Sequence, residues 1–495
     1  VAAERFDVVV LGGGAAGCVI AARLSEDADC SVCLVEAGPD YGSLAGGGWP
    51  ADLLDPNQLP VSHDWHYDDG LGWSARVIGG CSTHNACMLT WGATADYDGW
   101  GEGWSADGLR AYRLRAEDAI GGITRQRESA WNDAVLVAAE EVGYAVLDDL
   151  NDEHSVRGVG RAPLNALDGV RRNAAIAYLD AARLRPNLTI VDRAIADRLE
   201  LTGSAVRGAH VIREGARRLI TAPLVVVAAG AYGSPAILLR SGIGPEADLR
   251  RLGIAPVVPL DGVGSNLLNH WTARVLLDPG LELGARIAAE ARHGAVPMGG
   301  TIVKTAGDQC EPGLWDMHLA AICWGLRDDA GAATGEYVLR ISASALRPHS
   351  VGRVTLRSAD PADTPLIDHR ALSDPDGADL RTLAEGIRQA RRISEARSLH
   401  DMGVREQPAG PFGADDLHEH VRATLGCYYH PVGTCAIGPA TDPAAVVNGD
   451  GAVHGLEGVH VVDASIIPTI PRAQTHLSVL AVAERLAERL RRLRT

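Results

Sequence analysis

Residues 6–17, FDVVVLGGGAAG, carry an apolar β-like run straight into Gly12-x-Gly14-x-x-Gly17, and the following CVIAARLSED reads as a helix. Strand, glycine turn and helix N-terminus together make a seat for a diphosphate, because free backbone N–H groups and the helix dipole point at the same anion. Gly12 turns the chain, Gly14 lets the phosphates approach the backbone, and Gly17 lets the helix close on the strand. A second strand, CSVCLVEAG, ends in Glu36, about twenty residues beyond the loop, where a carboxylate accepts hydrogen bonds from an adenosine ribose. The bland alternative, a glycine turn ahead of a buried helix, leaves the order strand, loop, helix, strand, acid unaccounted for. The loop implies a dinucleotide without saying which.

The chain around this loop has 495 residues, too many for one simple core, so two domains are expected. A formal net charge of −17 argues against a nucleic-acid partner, whose phosphates such a surface repels. Lys304 is the only lysine, an arginine-for-lysine bias that carries no functional reading. The nine cysteines are scattered without a pair of C-x-x-C motifs, and Cys30 and Cys33 fall in an expected buried strand. That pattern suggests a reducing compartment and no structural metal. No apolar run reaches membrane-spanning length and VAAERFD carries no signal-peptide pattern, so the expectation is a cytoplasmic protein without a membrane partner. Composition sets no oligomeric state.

After Glu36 comes a long Gly-, Pro- and Asp-rich stretch containing Trp49 and Trp65, read as a loop over the bound cofactor. Then ARVIGGCSTHNACMLTWGATADYDGW, from Ala75 to Trp100, neither alternates nor repeats at helical spacing. Its Gly79-Gly80 pair offers backbone N–H groups as a concavity for phosphate or a flavin ring, with His84 and Asn85 following. Two helical patterns follow, GLRAYRLRAEDAI and SAWNDAVLVAAEEVGY, and then a helix that breaks at Pro186 before a strand. LITAPLVVVAAG reads as one strand feeding GAYGSPAILLRSGIGP, a helix capped by Ser234, with Pro235 in its first turn and an end near Gly242. From 276 to 424, segments such as TIVKTA, WDMHLAAICWG, EYVLRISASALRP and GRVTLRS alternate like half-buried antiparallel strands, ahead of the helix DLRTLAEGIRQARRISEA. The last 70 residues bring HPVGTCAIG, GVHVVDAS and an amphipathic terminal helix.

The N-terminal loop and GGCSTHNAC together resemble the glucose-methanol-choline (GMC) oxidoreductases, FAD enzymes that oxidise alcohols, and GGCSTHNAC is most similar to the segment of bacterial choline oxidase-like members. The run from Gly230 to Gly244 matches the family's second signature. The resemblance implies an α/β (α+β overall) architecture: a Rossmann-like FAD-binding domain over 1–275, a substrate-binding domain on an antiparallel sheet over 276–424, and a return to the first domain over 425–495. Parts of roughly 100–185 are expected to pack with the substrate domain. It also implies a covalent histidyl–flavin bond at His84, backbone near Ala196 under the adenine, and Asp463 with Ala464 at the ribityl or diphosphate portion.

Oxidising an alcohol requires a base for the hydroxyl proton and an acceptor for the hydride, and the acceptor is the flavin. Of 17 histidines, His430 in CYYHPVGT and His476 in PRAQTHLS stand out by context. The family's active-site pair matches both, His430 as the base and His476 as a partner for the substrate oxygen. Two departures separate the chain from choline oxidases. The segment AVPMGGTIV has Met298 and Gly299 where they hold a carboxylate against the trimethylammonium group, and Arg347 stands near the place where they have a further active-site histidine. A cation site without its anion is costly, so choline is disfavoured, with choline-type or other aliphatic alcohols as the runner-up. Trp65, Trp324, Tyr429 and Arg347 are the expected pocket walls, pointing to an aryl, furanic or natural-product alcohol. Oxygen or another electron acceptor completes the cycle. A lyase with structural FAD and an NAD-dependent dehydrogenase are the competing classes; the first fits GGCSTHNAC poorly, and the second leaves the other matched stretches unexplained.

Overall fold

The computed structural model describes residues 4–68, 70–71, 73–122, 124–125, 129–152, 156–293, 296, 298–327, 333–407 and 416–494. The opening run forms β1 (Val8–Leu11), the glycine turn leads into α1 (Ala15–Leu24), and β2 (Val32–Val35) follows. With β3 (Leu188–Val191), β4 (Leu224–Val227) and, near the end of the chain, Val459–Val461, these strands make a five-stranded parallel sheet. Its order is Val459–Val461, β4, β1, β2, β3. β1 and β2 are apolar at every position and wholly buried, as parallel strands covered on both faces must be. The terminal helix Thr475–Arg494 packs beside α1, where Glu484 accepts three hydrogen bonds, at 2.8, 3.0 and 3.1 Å, from the Arg23 guanidinium.

LITAPLVVVAAG is two strands where one was expected. Ala216–Thr221 belongs to a separate four-stranded sheet, and β4 restarts after Pro223, which has no N–H to continue a ladder. The helix after β4, α2 (Gly230–Arg240), starts four residues before the expected cap. Ser234 lies inside it; its hydroxyl accepts from the Ala229 N–H and donates to Asp463, which also accepts the Gly230 N–H. A carboxylate from more than two hundred residues away thus does the capping.

The second large sheet is antiparallel: Arg405–Glu406, β5 (Trp271–Asp278), then Ala333–Ala345, Met317–Arg327, Gly299–Thr305 and Gly158–Arg161, with Gly426–Cys427 also on β5. Period-two alternation divides its faces. Ala273, Val275, Leu319, Ala321, Cys323, Leu339, Ile341 and Ala343 join a core with the helices Ala130–Glu141 and Ala378–Ser394. Thr272, Ala320, Ile322, Arg340 and Ser342 face the opposite way, into a cavity. The alternating pattern did not disclose the helix Gly280–His293, which interrupts the strands. GRVTLRS leaves the sheet: Arg353–Thr355 pairs with Leu366–Asp368, and Val354 packs with Ala231 and Tyr232 of α2. Among the described residues no helix is long and apolar enough to cross a membrane.

Candidate active site

A cavity of about 500 Å³ lies between the C-terminal ends of the parallel strands and the outward face of the antiparallel sheet. Gly12 ends β1 at φ +108°, where a Cβ would sit 2.5 Å from the Ala228 carbonyl oxygen. A Cβ on Gly17 would lie 1.9 Å from the Gly12 carbonyl oxygen, so α1 closes on the strand only because that atom is absent. No side chain caps α1 and no acid occupies its first turn, which leaves its first N–H groups and dipole to an anion at Gly14, Ala15 and Ala16 on the cavity wall. Glu36 lines the same end. Its Oε2 accepts from the Gly13 N–H at 2.8 Å and its Oε1 from the Gly38 N–H at 2.7 Å, and each oxygen keeps a lone pair for a further donor. Burial raises its pKa against the pull of those N–H groups.

The second glycine stretch docks on the first. The Gly79 N–H donates to the Gly13 carbonyl at 2.7 Å, and a Cβ on Gly80 would meet Gly14 Cα at 2.7 Å. Gly80 then starts a short 3₁₀ turn, Gly80–Thr83, that delivers His84 and Asn85 to the cavity wall. Ala196 lines the Glu36 end, and its carbonyl accepts from Arg240 at 3.2 Å. Asp463 and Ala464 line the wall beside α2; Asp463 Oδ1 also accepts from the Ser465 N–H at 2.7 Å.

His430 and His476 border this cavity from the last 70 residues, the latter in the first turn of the terminal helix. Burial lowers the pKa of His430 to about 3 and that of His476 to about 4. Burial, with Arg171 adding to it, lowers His84 to about 4. All three rings are therefore neutral at pH 7. Both ring nitrogens of His84, the Nε2 of His476 and the Nδ2 of Asn85 are buried without a hydrogen-bond partner. Orphaned buried polar atoms cost about 1–3 kcal/mol each. Their convergence on a cavity whose far end is a glycine cradle fits a dinucleotide with a polar heteroaromatic head.

Several residues here escaped the sequence reading. His270 Nδ1 lies 2.9 Å from His430 Nδ1, and Asn269 Oδ1 accepts the His430 N–H at 2.9 Å. The Tyr428 ring stands 4.5 Å from that of His430, and its hydroxyl accepts from Gln474 at 2.8 Å. Buried His318 lies behind them, its pKa pushed down by burial and then by Lys304 and His430.

Of the four expected pocket walls, Trp65 and Tyr429 line the cavity. Trp65 stacks on Tyr67 with ring centroids 5.7 Å apart, and Tyr429, at φ +63°, stands half-exposed at the rim. Trp324 does not line it. That ring stacks behind Trp73, which takes the wall position, at 5.8 Å. Arg347 is also outside: it follows the end of its strand and turns toward Asp96, 3.8 Å away, which Arg472 also pairs. The arginine in the wall is Arg340.

Models of the GMC oxidoreductase family match residues 6–272 and 348–483. The chain is 32% identical to 5-(hydroxymethyl)furfural oxidase of Methylovorus sp. over 98% of both chains. It is 33% identical to the oxygen-dependent choline dehydrogenase of Paraburkholderia phymatum, over 99% of this chain and 93% of that one. Among solved structures, pyridoxine 4-oxidase from Mesorbium loti superposes with a TM-score of 0.83 at 27% identity, covering 98% of this chain and 99% of that one. The chain belongs to the GMC oxidoreductases, and the cradle is that of an FAD-dependent enzyme acting on alcohols.

Proposed function

We propose that the protein oxidises a hydroxymethyl group on an aromatic, furanic or related natural-product alcohol to the aldehyde, with His430 as the base. FAD, when bound, supplies the acceptor for the hydride. The observation that carries the reading is the pair of buried, neutral histidines on the cavity that ends in the dinucleotide cradle. Gly12, Gly14 and Gly17 with the α1 N-terminus would hold the diphosphate, Glu36 the ribose, Asp463 and Ala464 the middle of the cofactor, and Gly79, Gly80 and Asn85 the ring region.

His430 Nδ1 faces His270 Nδ1, so one ring donates and the other accepts. With His430 donating at Nδ1 and His270 accepting there, the His430 Nε2 lone pair is left to take the hydroxyl proton. His476 holds the oxygen as the carbon–hydrogen bond gives up its hydride and the carbonyl forms. Base catalysis of this kind contributes about 10²–10⁴-fold. His430→Ala should slow anaerobic flavin bleaching by an alcohol by that margin, and wild-type bleaching in the variant would refute the assignment.

His84 is read as the site of a covalent bond to the flavin, since both of its ring nitrogens are neutral, buried and unpartnered on the cavity wall. Acid denaturation should leave the yellow colour on the polypeptide with one flavin's added mass; full release of the colour would refute the link. Choline is disfavoured because Met298 and Ile322 line the wall and Arg340 brings a positive charge to it. A panel of benzylic, furanic, aliphatic and quaternary-ammonium alcohols tests this, and activity confined to the last group would overturn it. Peroxide production under air against dye reduction without oxygen distinguishes oxidase from dehydrogenase.

A further inference from the structure

Arg340 lies in the strand Ala333–Ala345, on the face that looks away from the second core. Its strand neighbours on that face, Val338 and Ser342, and its cross-strand partners, Ile322 and Leu276, carry no charge. Among the described residues no carboxylate forms an ion pair with it, and its buried Nε has no hydrogen-bond partner. One flank is taken up by Trp324, whose ring centroid is 5.9 Å from the guanidinium carbon. Burial, with Arg274 adding to it, lowers its pKa to about 10, so it is charged at neutral pH. Arg274 and Arg340 lie on the same face of adjacent strands, Arg274 being paired with Ser342, so a second positive charge stands diagonally beside the first.

A partly buried guanidinium without a counter-charge is costly, and a second cation beside it raises the cost. A carboxylate offers the planar, two-oxygen partner that a guanidinium fork matches. The diphosphate cradle cannot be that partner, because Gly14, Ala15 and Ala16 belong to the opposite wall of the cavity, whereas Arg340 shares its wall with Met298, Ile322 and Ser342. The same cavity carries flat and apolar surfaces: Trp73, 5.8 Å from Trp324, and Tyr429, 5.7 Å from Trp73.

We propose that Arg340 is an anion subsite for the substrate, and that the preferred substrates are hydroxymethyl-bearing aryl or heteroaryl carboxylates, with the ring against Trp73 and Tyr429, the alcohol at His430 and the carboxylate at Arg340. This rests on the alcohol-oxidising reading of the same site. The aromatic ring holds the two functional groups apart and rigid, so the carboxylate contact orients the carbon that loses the hydride.

The test uses the flavin-loaded protein and benzoate, which has no alcohol to react. Perturbation of the flavin absorption should show benzoate binding at least about tenfold tighter than benzamide, with the difference removed in Arg340→Met and partly restored in Arg340→Lys. Turnover gives the second readout: the ratio of kcat/KM for p-(hydroxymethyl)benzoate to that for benzyl alcohol should fall at least about 30-fold in Arg340→Met. Equal binding of benzoate and benzamide to the wild type, or benzoate binding unchanged in Arg340→Met, overturns the subsite. Should Arg340→Met yield no flavin-loaded protein, the wild-type discrimination and Arg340→Lys decide the matter alone. Arg340-dependent benzoate binding with no alcohol reducing the flavin would sink the reaction assignment and keep the subsite. Alcohols that reduce the flavin without any preference for the carboxylate would do the reverse.

Discussion

The floor and the roof of the cavity are built on opposite plans. The floor, at the ends of the parallel strands, is made by backbone: Gly12, Gly14 and Gly80 line it with main chain, at Gly12 and Gly80 where a side chain would collide, and helix α1 brings its dipole. The roof, the antiparallel sheet, is made by side chains that alternate off each strand, with Thr272, Ile322, Arg340 and Ser342 on the cavity side. A backbone site tolerates almost no change and holds the part of the ligand that never varies. A side-chain site keeps its architecture when single residues change, so selectivity for the variable ligand belongs there.

The contrast can be broken most severely at the floor. Gly17→Val places a Cβ where the Gly12 carbonyl already stands, 1.9 Å away, and should abolish recovery of yellow holoprotein. Recovery of normal flavin content and melting temperature would show that the loop yields to a side chain at this position. On the active-site side, His270→Leu removes the partner of His430 Nδ1 and should lower kcat/KM by about 10²-fold, with KM changed far less than kcat. As a positioning residue, His270 should also move the pH profile, and a variant with the wild-type profile would reduce it to packing.

Next is the acid limb itself. His430 is lowered to about 3, so its neutral, proton-accepting form persists as pH falls and is lost only on passing down through that value. Neighbouring His270 and His318 are likewise held well below the usual imidazole range, and so add no positive charge near neutrality. For a neutral alcohol, kcat/KM should stay level on the acid side from about pH 8 to about pH 5.5, without the limb near 6.5 of a free imidazole. A limb at 6.5 would mean that water reaches the base. The smallest effect is expected at Ser234→Ala, which removes one of the hydrogen bonds on buried Asp463 and should cost about 1–2 kcal/mol, read as a shift of a few degrees in melting temperature.

Legibility in the sequence followed the same division. Glycine spacing and Glu36 declare a backbone site, since the chain has few other ways to seat a diphosphate; His84, His430 and His476 are singled out by the family resemblance, and all three line the cavity. The roof was harder. Leu339, Ile341 and Ala343 against Arg340 and Ser342 are plain alternation, yet the pattern does not say which face meets the cavity, and Arg347 was the arginine expected there. Arg347 lies past the strand end, where alternation stops and Asp96 claims it. His270 carried no local mark at all, because its meaning comes from a partner 160 residues further on. Ser234 failed as a helix cap for the same reason: the true cap, Asp463, is remote in sequence.

The pairing of α1 with the terminal helix Thr475–Arg494 has a consequence for the order in which the molecule is made. During synthesis the cofactor loop emerges first, but the cover of its helix, the edge strand Val459–Val461 and both histidines emerge last. A nascent chain carries the glycine loop long before it carries the residues that complete the cavity around it. Premature termination anywhere upstream of His430 leaves a fragment without either cavity histidine and with the flank of α1 bare.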